Sequence, residues 1–185
     1  MSFNPEKHHR RSIRLHGYDY SQGGIYFVTI CTPDRALLFA DPVICSIAEQ
    51  CWHELPNHFA VVELDEWVVM PNHLHGIPLI NPDRQGRDGV QLNAPTRAVE
   101  PSTQEVTKRI APHRDTLSVI IRTYKAAVTT LCRRQRYVDF AWQRNYYEHI
   151  VRDQAELDRI RQYIHDNPKG WGTDENHPNR VGAFE

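Results

Sequence analysis

The feature that most constrains the fold of this chain is the segment Trp67–Ile77, whose sequence is WVVMPNHLHGI. A Pro-Asn pair, which is typical of turns, separates two apolar and β-branched runs, so the segment predicts a β-hairpin. Side chains alternate between the two faces of a strand, and His73 and His75 therefore project from the same face while Leu74 points into a core. Two imidazoles held one strand step apart can bind one divalent cation. A pair of histidines on a solvated sheet face is the alternative interpretation.

The register of this hairpin decides which residue can join the histidines. If the turn is a simple two-residue loop, Val68 lies opposite His75 and Glu66 lies opposite Ile77. Glu66 then shares the face of the histidines and is the candidate third ligand, in a set that suits Mg²⁺ or Mn²⁺. A β-bulge would cancel this inference, because a shift of one residue exchanges the two faces. An exposed, solvated glutamate is the alternative.

Strand and helix patterns alternate along the rest of the chain. β-branched and aromatic residues indicate strands, and apolar residues at steps of three and four indicate helices. The predicted elements are a central strand at 24–32, a helix from Asp41 to Pro56, strands at 60–70 and 73–80, a helix from Thr116, a strand or turn at 137–142, and a last helix that a capping box at 153–156 opens and Asn167-Pro168 closes. This order predicts an α+β fold, a mainly antiparallel sheet with helices packed on one face.

The length of 185 residues is consistent with one domain that buries a genuine core. We expect this domain to cover residues 24–171, after a basic arm at 1–23 and before a loose polar tail at 172–185. Residues 81–115 have no convincing period and are interpreted as a mobile insertion loop. Four cysteines without a Cys-x-x-Cys pair, and the absence of a secretory or membrane-spanning apolar run, favour a cytoplasmic protein with reduced thiols.

The charges give no nucleic-acid signal on average, because 22 Lys and Arg stand against 23 Asp and Glu. Their distribution is uneven, with one basic cluster in the opening segment and another at 133–144. Clustered basic side chains can neutralise phosphates even in a chain that is neutral overall, although a solvated tail or helix end explains such clusters as well. The candidate DNA contacts are Arg10, Arg11, Arg14, Lys125 and Arg144.

Motifs of zinc proteases, P-loop nucleotide hydrolases and serine hydrolases are absent, so these enzyme classes have no support in the sequence. Tyrosine is abundant, with eight residues, and tyrosines are candidate nucleophiles. Tyr124 lies at the edge of the apolar stripe of the helix that begins at Thr116. A phenol beside a metal-polarised phosphate can attack it and form a covalent ester, but an aromatic residue at helical spacing is also a normal core residue. The rival nucleophiles are Tyr146, Tyr147 and Tyr163, of which the first two could instead stack on bases or pack against the sheet.

Five segments together carry a resemblance to a known family. They are YFVTICT from Tyr26, VVMPNHLHG from Val68, IRTYKAAVT from Ile121, WQRNYYEHI from Trp142 and YIHDNP from Tyr163. In these segments the chain resembles the single-tyrosine HUH transposases, and above all the REP-associated tyrosine transposases and their relatives of the small insertion-sequence type. The resemblance covers roughly residues 10–171 without the loop at 81–115.

The resemblance implies a ferredoxin-like fold that binds single-stranded DNA, often at the foot of a hairpin. It implies that His73 and His75 hold Mg²⁺ or Mn²⁺ on the scissile phosphate, and that Tyr124 attacks to leave a 5′-phosphotyrosine and a free 3′-hydroxyl. The strand can then be rejoined without ATP. In the family a polar residue about one helical turn after the tyrosine often completes the metal site, whereas this chain has Val128 there, with Thr129 beside it.

Other functions stay open beside this transposase interpretation. A relative that has lost cleavage would act as a DNA-binding protein, and a metal-dependent nuclease would use water in place of the tyrosine. A monomer and a homodimer that shares its tyrosine helix are both compatible with the sequence.

Overall fold

The computed structural model describes residues 23–86, 115–174 and 176–178. In this part of the chain four strands form one antiparallel sheet, in the spatial order β2-β3-β1-β4. The strands are β1 (Gly24–Cys31), β2 (Val62–Met70), β3 (His73–Ile80) and β4 (Tyr147–Val151). The helices are α1 (Pro42–His53), the short α2 (Leu55–His58), α3 (Leu117–Arg134) and α4 (Gln154–Asp166). The predicted α+β class is confirmed, and so is the ferredoxin-like order of strand, helix, two strands, helix and strand. The last of these strands is β4, whereas the segment 137–142, predicted as a strand or turn, contains turns.

Two helices begin where the sequence predicts. The side chain of Asp41 accepts hydrogen bonds from the backbone N–H groups of Val43 and Ile44, which lack a partner inside α1. Asp153 caps α4 in the same way by accepting from the N–H of Glu156. The carboxylate of Glu156 returns to the N–H of Arg152 rather than to that of Asp153, so the capping box closes one residue earlier than in its usual form.

Helices cover both faces of the sheet, which corrects the expectation that they lie on one. The alternate residues Tyr26, Val28 and Ile30 of β1 face α1 and α3 in the larger core. The other face carries a smaller core, in which residues of the sheet pack against α4. Both sets of alternate residues in β1 are largely apolar, and each therefore needs a layer to cover it. The larger core contains Phe39, Trp52, Leu74, Ile120, Tyr124 and Val128, and the smaller contains Ile25, Phe27, Ile77, Val151, Leu157 and Ile164.

The hairpin has the predicted pairing near its turn, where Val68 lies opposite His75. A β-bulge follows further along, between Leu64 and Trp67. The simple register that would put Glu66 opposite Ile77 on the histidine face is therefore not the one observed.

The segments expected to be a basic arm and an insertion loop lie mostly outside the described residues. At the start of the loop, Pro82–Gly86 forms a 3₁₀ turn. None of the helices in the described ranges combines the length and the apolar composition needed to cross a bilayer.

Candidate metal and nucleophile site

His73 and His75 project from the same face of β3, as the alternation predicts. Their Nε2 atoms lie 3.0 Å apart. Both side chains are buried, with exposed fractions of 0% and 2%, so the alternative of a solvated pair does not apply. The Phe27 ring stacks on His75 at a centroid distance of 5.2 Å, and Trp171 lies 6.0 Å from His73.

The tautomer of His73 is fixed by Asn72, the second residue of the hairpin turn. The Nδ2 group of Asn72 donates to the carbonyl oxygens of Arg35 at 3.2 Å and Asn176 at 2.7 Å. Its Oδ1 atom must then face Nδ1 of His73, 2.8 Å away. Because this oxygen can only accept, Nδ1 of His73 carries the proton and Nε2 keeps a free lone pair.

A hydroxyl group supports His75 in the corresponding way. Oγ1 of Thr29, on the neighbouring strand β1, lies 2.9 Å from Nδ1 of His75. When this hydroxyl accepts, Nε2 of His75 also keeps its lone pair, and the two lone pairs converge. Adjacent ligands of an octahedral ion with bonds of about 2.1 Å lie about 3.0 Å apart, which is the spacing of the two Nε2 atoms. The imidazole pair therefore fits one shared divalent cation.

Asp174 supplies the third candidate ligand in place of Glu66. Ligand atoms of Asp174, His73 and His75 all lie within 4.8 Å of one another, and all three residues are buried. Asp174 follows a 3₁₀ turn that comes after α4, and its Oδ1 accepts from the N–H of Asn176 at 2.6 Å. Glu66 is exposed beyond the β-bulge and is not part of this group. The described end of the segment expected to be a loose tail thus contributes to the site.

Burial keeps both imidazoles neutral, which is the form that binds metals. It lowers the pKa of His73 to about 4, with the carboxylate of Asp174 opposing this shift and the charge of Arg35 adding to it. Burial also lowers the pKa of His75 well below its usual value, and the charge of His73 acts in the same direction. Neither ring needs to lose a proton before an ion binds at neutral pH.

We expect the metal-free protein to lose stability below about pH 6.5. Between that pH and about 4, unfolded chains take up a proton on His73 that the folded protein excludes, so the free energy of unfolding falls with pH. For His73 alone the loss from pH 7 to pH 5 is about 2 kcal/mol. Urea unfolding in chelator at the two pH values measures it. His73→Gln should reduce the loss, whereas His53→Gln at an exposed position should not; equal losses in both variants would contradict the expectation.

Removing the carboxamide of Asn72 is expected to weaken metal binding without abolishing the fold. In Asn72→Ala the proton on Nδ1 of His73 loses its partner, and losses of this kind reduce metal affinity by about 10- to 100-fold. Calorimetric titration with Mn²⁺ measures the change. Thr32→Val is the matched control, because the hydroxyl of Thr32 contacts the carbonyl of Asn72 in the same turn but not the imidazole. Similar losses of affinity in both variants would mean that Asn72 only supports the turn.

Tyr163 is the tyrosine that lies beside the histidines. Its hydroxyl is 3.3 Å from Nε2 of His75, and the two rings have centroids 5.2 Å apart. The side chain is 41% exposed, so a substrate can reach it. This residue was a rival candidate in the sequence, and the geometry brings it to the imidazole pair.

The predicted position of Tyr124 within reach of the imidazoles is corrected by the structure. Tyr124 lies in the larger core, on the opposite face of the sheet, and is 1% exposed. Its hydroxyl donates to the carbonyl oxygen of Ala48 in α1 at 3.2 Å, and its ring packs edge-on against Trp52. Burial raises the pKa of this phenol well above its usual value, which disfavours the phenolate.

An ion pair fixes α4, and with it Tyr163, against the sheet. The guanidinium of Arg161 donates from Nε and from a terminal nitrogen to the carboxylate of Asp65, with the shortest bond at 2.6 Å. Asp65 belongs to the β-bulge of β2. The bulge that removes Glu66 from its predicted register therefore also supplies the anchor for α4, two residues before Tyr163.

Asn167 is a further polar residue at the site, and sequence reasoning treated it only as the end of a helix. Its N–H donates to the carbonyl of Tyr163, so it lies one helical turn after the tyrosine. The side chain is 6% exposed and lines the cavity described next, and its Oδ1 has no hydrogen-bond partner among the described residues. The spacing of Tyr163 and Asn167, one helical turn apart, is the feature of the sequence that could have identified Asn167 as a site residue.

A cavity of about 750 Å³ opens beside the imidazoles and Tyr163. Arg35 lines it and lies close enough to His73 for its charge to lower the pKa of that imidazole. The backbone of Arg35 and of Asp34 before it has positive φ angles of 57° and 47°, which are uncommon for residues other than glycine. Arg35 was not singled out in the sequence, because its turn reaches the site only through the folding of the sheet.

The predicted DNA contacts have different environments. Lys125 is partly buried, and its Nζ donates to the backbone carbonyls of Gln143 at 2.6 Å and Asn145 at 3.4 Å. Burial lowers its pKa to about 8, and its role in the structure is to hold the loop that precedes β4. Arg144 is exposed on that loop. The remaining candidates, Arg10, Arg11 and Arg14, lie outside the described residues.

Comparison with solved structures identifies the fold. It resembles a REP-associated tyrosine transposase bound to a REP hairpin, with a TM-score of 0.57 and 20% identity over 88% of this chain and 77% of that chain. A candidate transposase from Deinococcus radiodurans R1 has a TM-score of 0.41 and 16% identity, over 83% of this chain and 95% of that one. The first of these two similarities gives the chain a transposase-like fold.

The sequence comparisons give the family relationship. No protein-family model matches the chain. An uncharacterized protein of Haemophilus influenzae is 38% identical over 181 residues, which cover 94% of this chain and 96% of that protein. This chain therefore belongs to the same family as the uncharacterized Haemophilus influenzae protein.

Proposed function

We propose that this protein is a metal-dependent strand transferase of the HUH type, which cleaves and rejoins single-stranded or hairpin DNA with Tyr163 as the nucleophile. The observation that carries the proposal is the distance of 3.3 Å between the accessible hydroxyl of Tyr163 and Nε2 of His75, at a cavity wide enough for a nucleotide. A phenol and a candidate metal centre are the two groups that this chemistry needs.

The metal would be held by His73, His75 and Asp174, and the unpartnered Oδ1 of Asn167 is a candidate fourth ligand. Imidazole nitrogen favours Mn²⁺ over Mg²⁺, while the carboxylate and carboxamide oxygens suit both ions. When bound, the ion would neutralise charge on the scissile phosphate and so make phosphorus more open to attack.

In the reaction the oxygen of Tyr163 forms a bond to phosphorus while the bond between phosphorus and the 3′ oxygen of the preceding nucleotide breaks. The phenol loses its proton and the departing oxygen gains one, which leaves a 5′-phosphotyrosine and a free 3′-hydroxyl. One phosphoester replaces another, so an incoming 3′-hydroxyl can reverse the step without ATP. Arg35, at the cavity wall, would bind a phosphate oxygen during both steps.

The order of residues along α4 supports this assignment of the nucleophile. The transposases that the sequence resembles often carry a polar metal ligand one helical turn after the tyrosine. Tyr163 and Asn167 have that spacing, whereas the residue after Tyr124 at the same spacing is the buried Val128. The solved structure with the same fold is bound to a hairpin, which motivates hairpin DNA as the first substrate to test.

The test uses a pool of hairpin oligonucleotides with randomised single-stranded flanks, labelled in separate samples at the 3′ end and at the 5′ end. After incubation with Mn²⁺, denaturing gels should contain a protein adduct that carries the 3′ label and a free fragment that carries the 5′ label. Chelator should remove both products. Cleavage without an adduct would indicate a nuclease that uses water, and binding without cleavage would indicate a DNA-binding relative; either result overturns the proposal.

A further inference from the structure

Two kinds of residue line the cavity beside the candidate metal centre. Phe27, Tyr147 and Tyr163 form an aromatic wall, in which the ring of Phe27 contacts the other two. Gln143 and Asn145, from the loop that precedes β4, also line the cavity, and both residues carry a side-chain amide. An aromatic surface beside groups that both donate and accept hydrogen bonds has the chemistry of a site for a nucleobase.

The strand register puts the aromatic wall in line with the candidate metal centre. Tyr147 of β4 pairs with Thr29 of β1, and Thr29 pairs with His75 of β3, so the three residues form one row on the same face of the sheet. Two strand spacings separate Tyr147 from His75, a distance of about 10 Å. A single nucleotide can span this distance with its phosphate at the histidines and its base at the tyrosine.

Tyr147 is the exposed member of this row. Its exposed fraction is 46%, whereas Thr29 and His75 in the same row are buried. Its ring meets that of Phe27 in a T-shaped arrangement at a centroid distance of 6.3 Å, so the two rings do not stack face to face. The ring therefore offers a π-face at the cavity.

We propose that the cavity seats one unpaired base of the DNA strand, adjacent to the phosphate that is cleaved, with the base stacked on Tyr147 and its edge against the amides of Gln143 and Asn145. The position of that phosphate rests on the proposed function. A base in a duplex has its hydrogen-bonding edge occupied by its partner, and it cannot enter without unpairing. The cavity thus selects for single strands, and the two amides favour some bases over others.

The loop that carries the amides is fixed before any ligand binds. Lys125 of α3 holds the carbonyls of Gln143 and Asn145, and the N–H of Gln143 donates to the carbonyl of Cys31 at 2.9 Å. Nε1 of Trp142 donates to the carbonyl of Lys125 at 3.1 Å. A loop held at both ends loses little conformational entropy when a base binds, which favours specific binding.

Fluorescence anisotropy with the full chain in chelator tests the proposal, because cleavage cannot then occur. The probes are fluorescein-labelled dodecamers of thymidylate and of an abasic backbone with the same charge. The unchanged protein should bind the thymidylate more tightly, and Tyr147→Leu should weaken that binding by about tenfold with no effect on the abasic probe. Tyr147→Trp, which keeps a π-face, should retain the preference. Gln143→Ala with Asn145→Ala should reduce the differences in affinity among thymidylate, cytidylate and adenylate dodecamers.

Equal affinities for the thymidylate and abasic probes, or an unchanged thymidylate affinity in Tyr147→Leu, would overturn the base site. A result in which none of the probes binds saturably would overturn the base site as well. The two proposals fail separately. Base-dependent binding that needs Tyr147, without any covalent adduct in the gel test, refutes the strand transferase but not the base site. A covalent adduct together with equal affinities for the thymidylate and abasic probes refutes the base site but not the strand transferase.

Discussion

Tyr163→Phe is expected to abolish the covalent protein–DNA adduct and to lower the rate of strand cleavage by about 10³-fold or more, because the only atom removed is the attacking oxygen. The hydroxyl contributes little to packing, since the side chain is 41% exposed on α4. The fold and the affinity for metal should therefore be retained. Gel analysis of 3′-labelled hairpin DNA measures the adduct, and thermal unfolding checks the fold.

Tyr124→Phe is the matched control for this experiment. It removes the same atom from a helix tyrosine, but from one whose hydroxyl donates to Ala48 in the larger core. The variant should form the adduct at the normal rate and lose about 1 kcal/mol of stability with the hydrogen bond. An adduct that persists in Tyr163→Phe and disappears in Tyr124→Phe would restore the assignment made from the sequence and refute the one made from the geometry.

The contrast between these two tyrosines illustrates what periodicity along a helix can predict. The apolar stripe of α3 correctly indicates a buried face, and Tyr124 belongs to it. Periodicity does not indicate which face of the sheet a helix covers. Because α3 covers the face opposite the histidines, Tyr124 is separated from them by the sheet. Tyr163 lies outside the line of Leu157, Ile160 and Ile164 that packs on the sheet, which is why it stays accessible.

The hairpin was predictable in more detail because its determinants are local. Alternation in β3 places His73 and His75 on one face, and the Pro-Asn turn sets the pairing of Val68 with His75. The bulge in β2 was not predictable, since the contact that accompanies it joins Asp65 to Arg161, a residue distant in the sequence. The register predicted for Glu66 was therefore wrong, because Glu66 lies within this bulge.

Asp174, the third candidate ligand, was even harder to predict from its local sequence than the bulge. Asp174 lies in a polar segment whose composition is typical of a loose tail, and nothing in its local sequence indicates burial. Its position depends on tertiary contacts instead. The carbonyl of Asn176 accepts from the side chain of Asn72, and Trp171 packs near His73. Contacts of this kind join segments through the folded sheet, so they are not visible in any single stretch of sequence.

Removal of either imidazole is expected to have the largest effect on metal binding. An indirect partner of a metal-bound histidine contributes about 10- to 100-fold to affinity, so the loss of a direct ligand should exceed about 100-fold. Calorimetric titration of His75→Gln with Mn²⁺ measures this loss, and the gel test should find no cleavage. Gln is preferred to Ala because His75 is 2% exposed, and a smaller side chain would leave a cavity in the smaller core.

Glu66→Gln and Asp174→Asn provide the decisive comparison for the carboxylate. Both remove one negative charge and keep the size of the side chain, but only Asp174 lies within 4.8 Å of the imidazole nitrogens. We therefore expect Asp174→Asn to weaken Mn²⁺ binding and Glu66→Gln to leave it unchanged. If Glu66→Gln reduced the affinity instead, the hairpin would have the regular register in solution. The anchoring of α4 through Asp65 would then fail as well, since an unbulged strand cannot present both carboxylates to the same face.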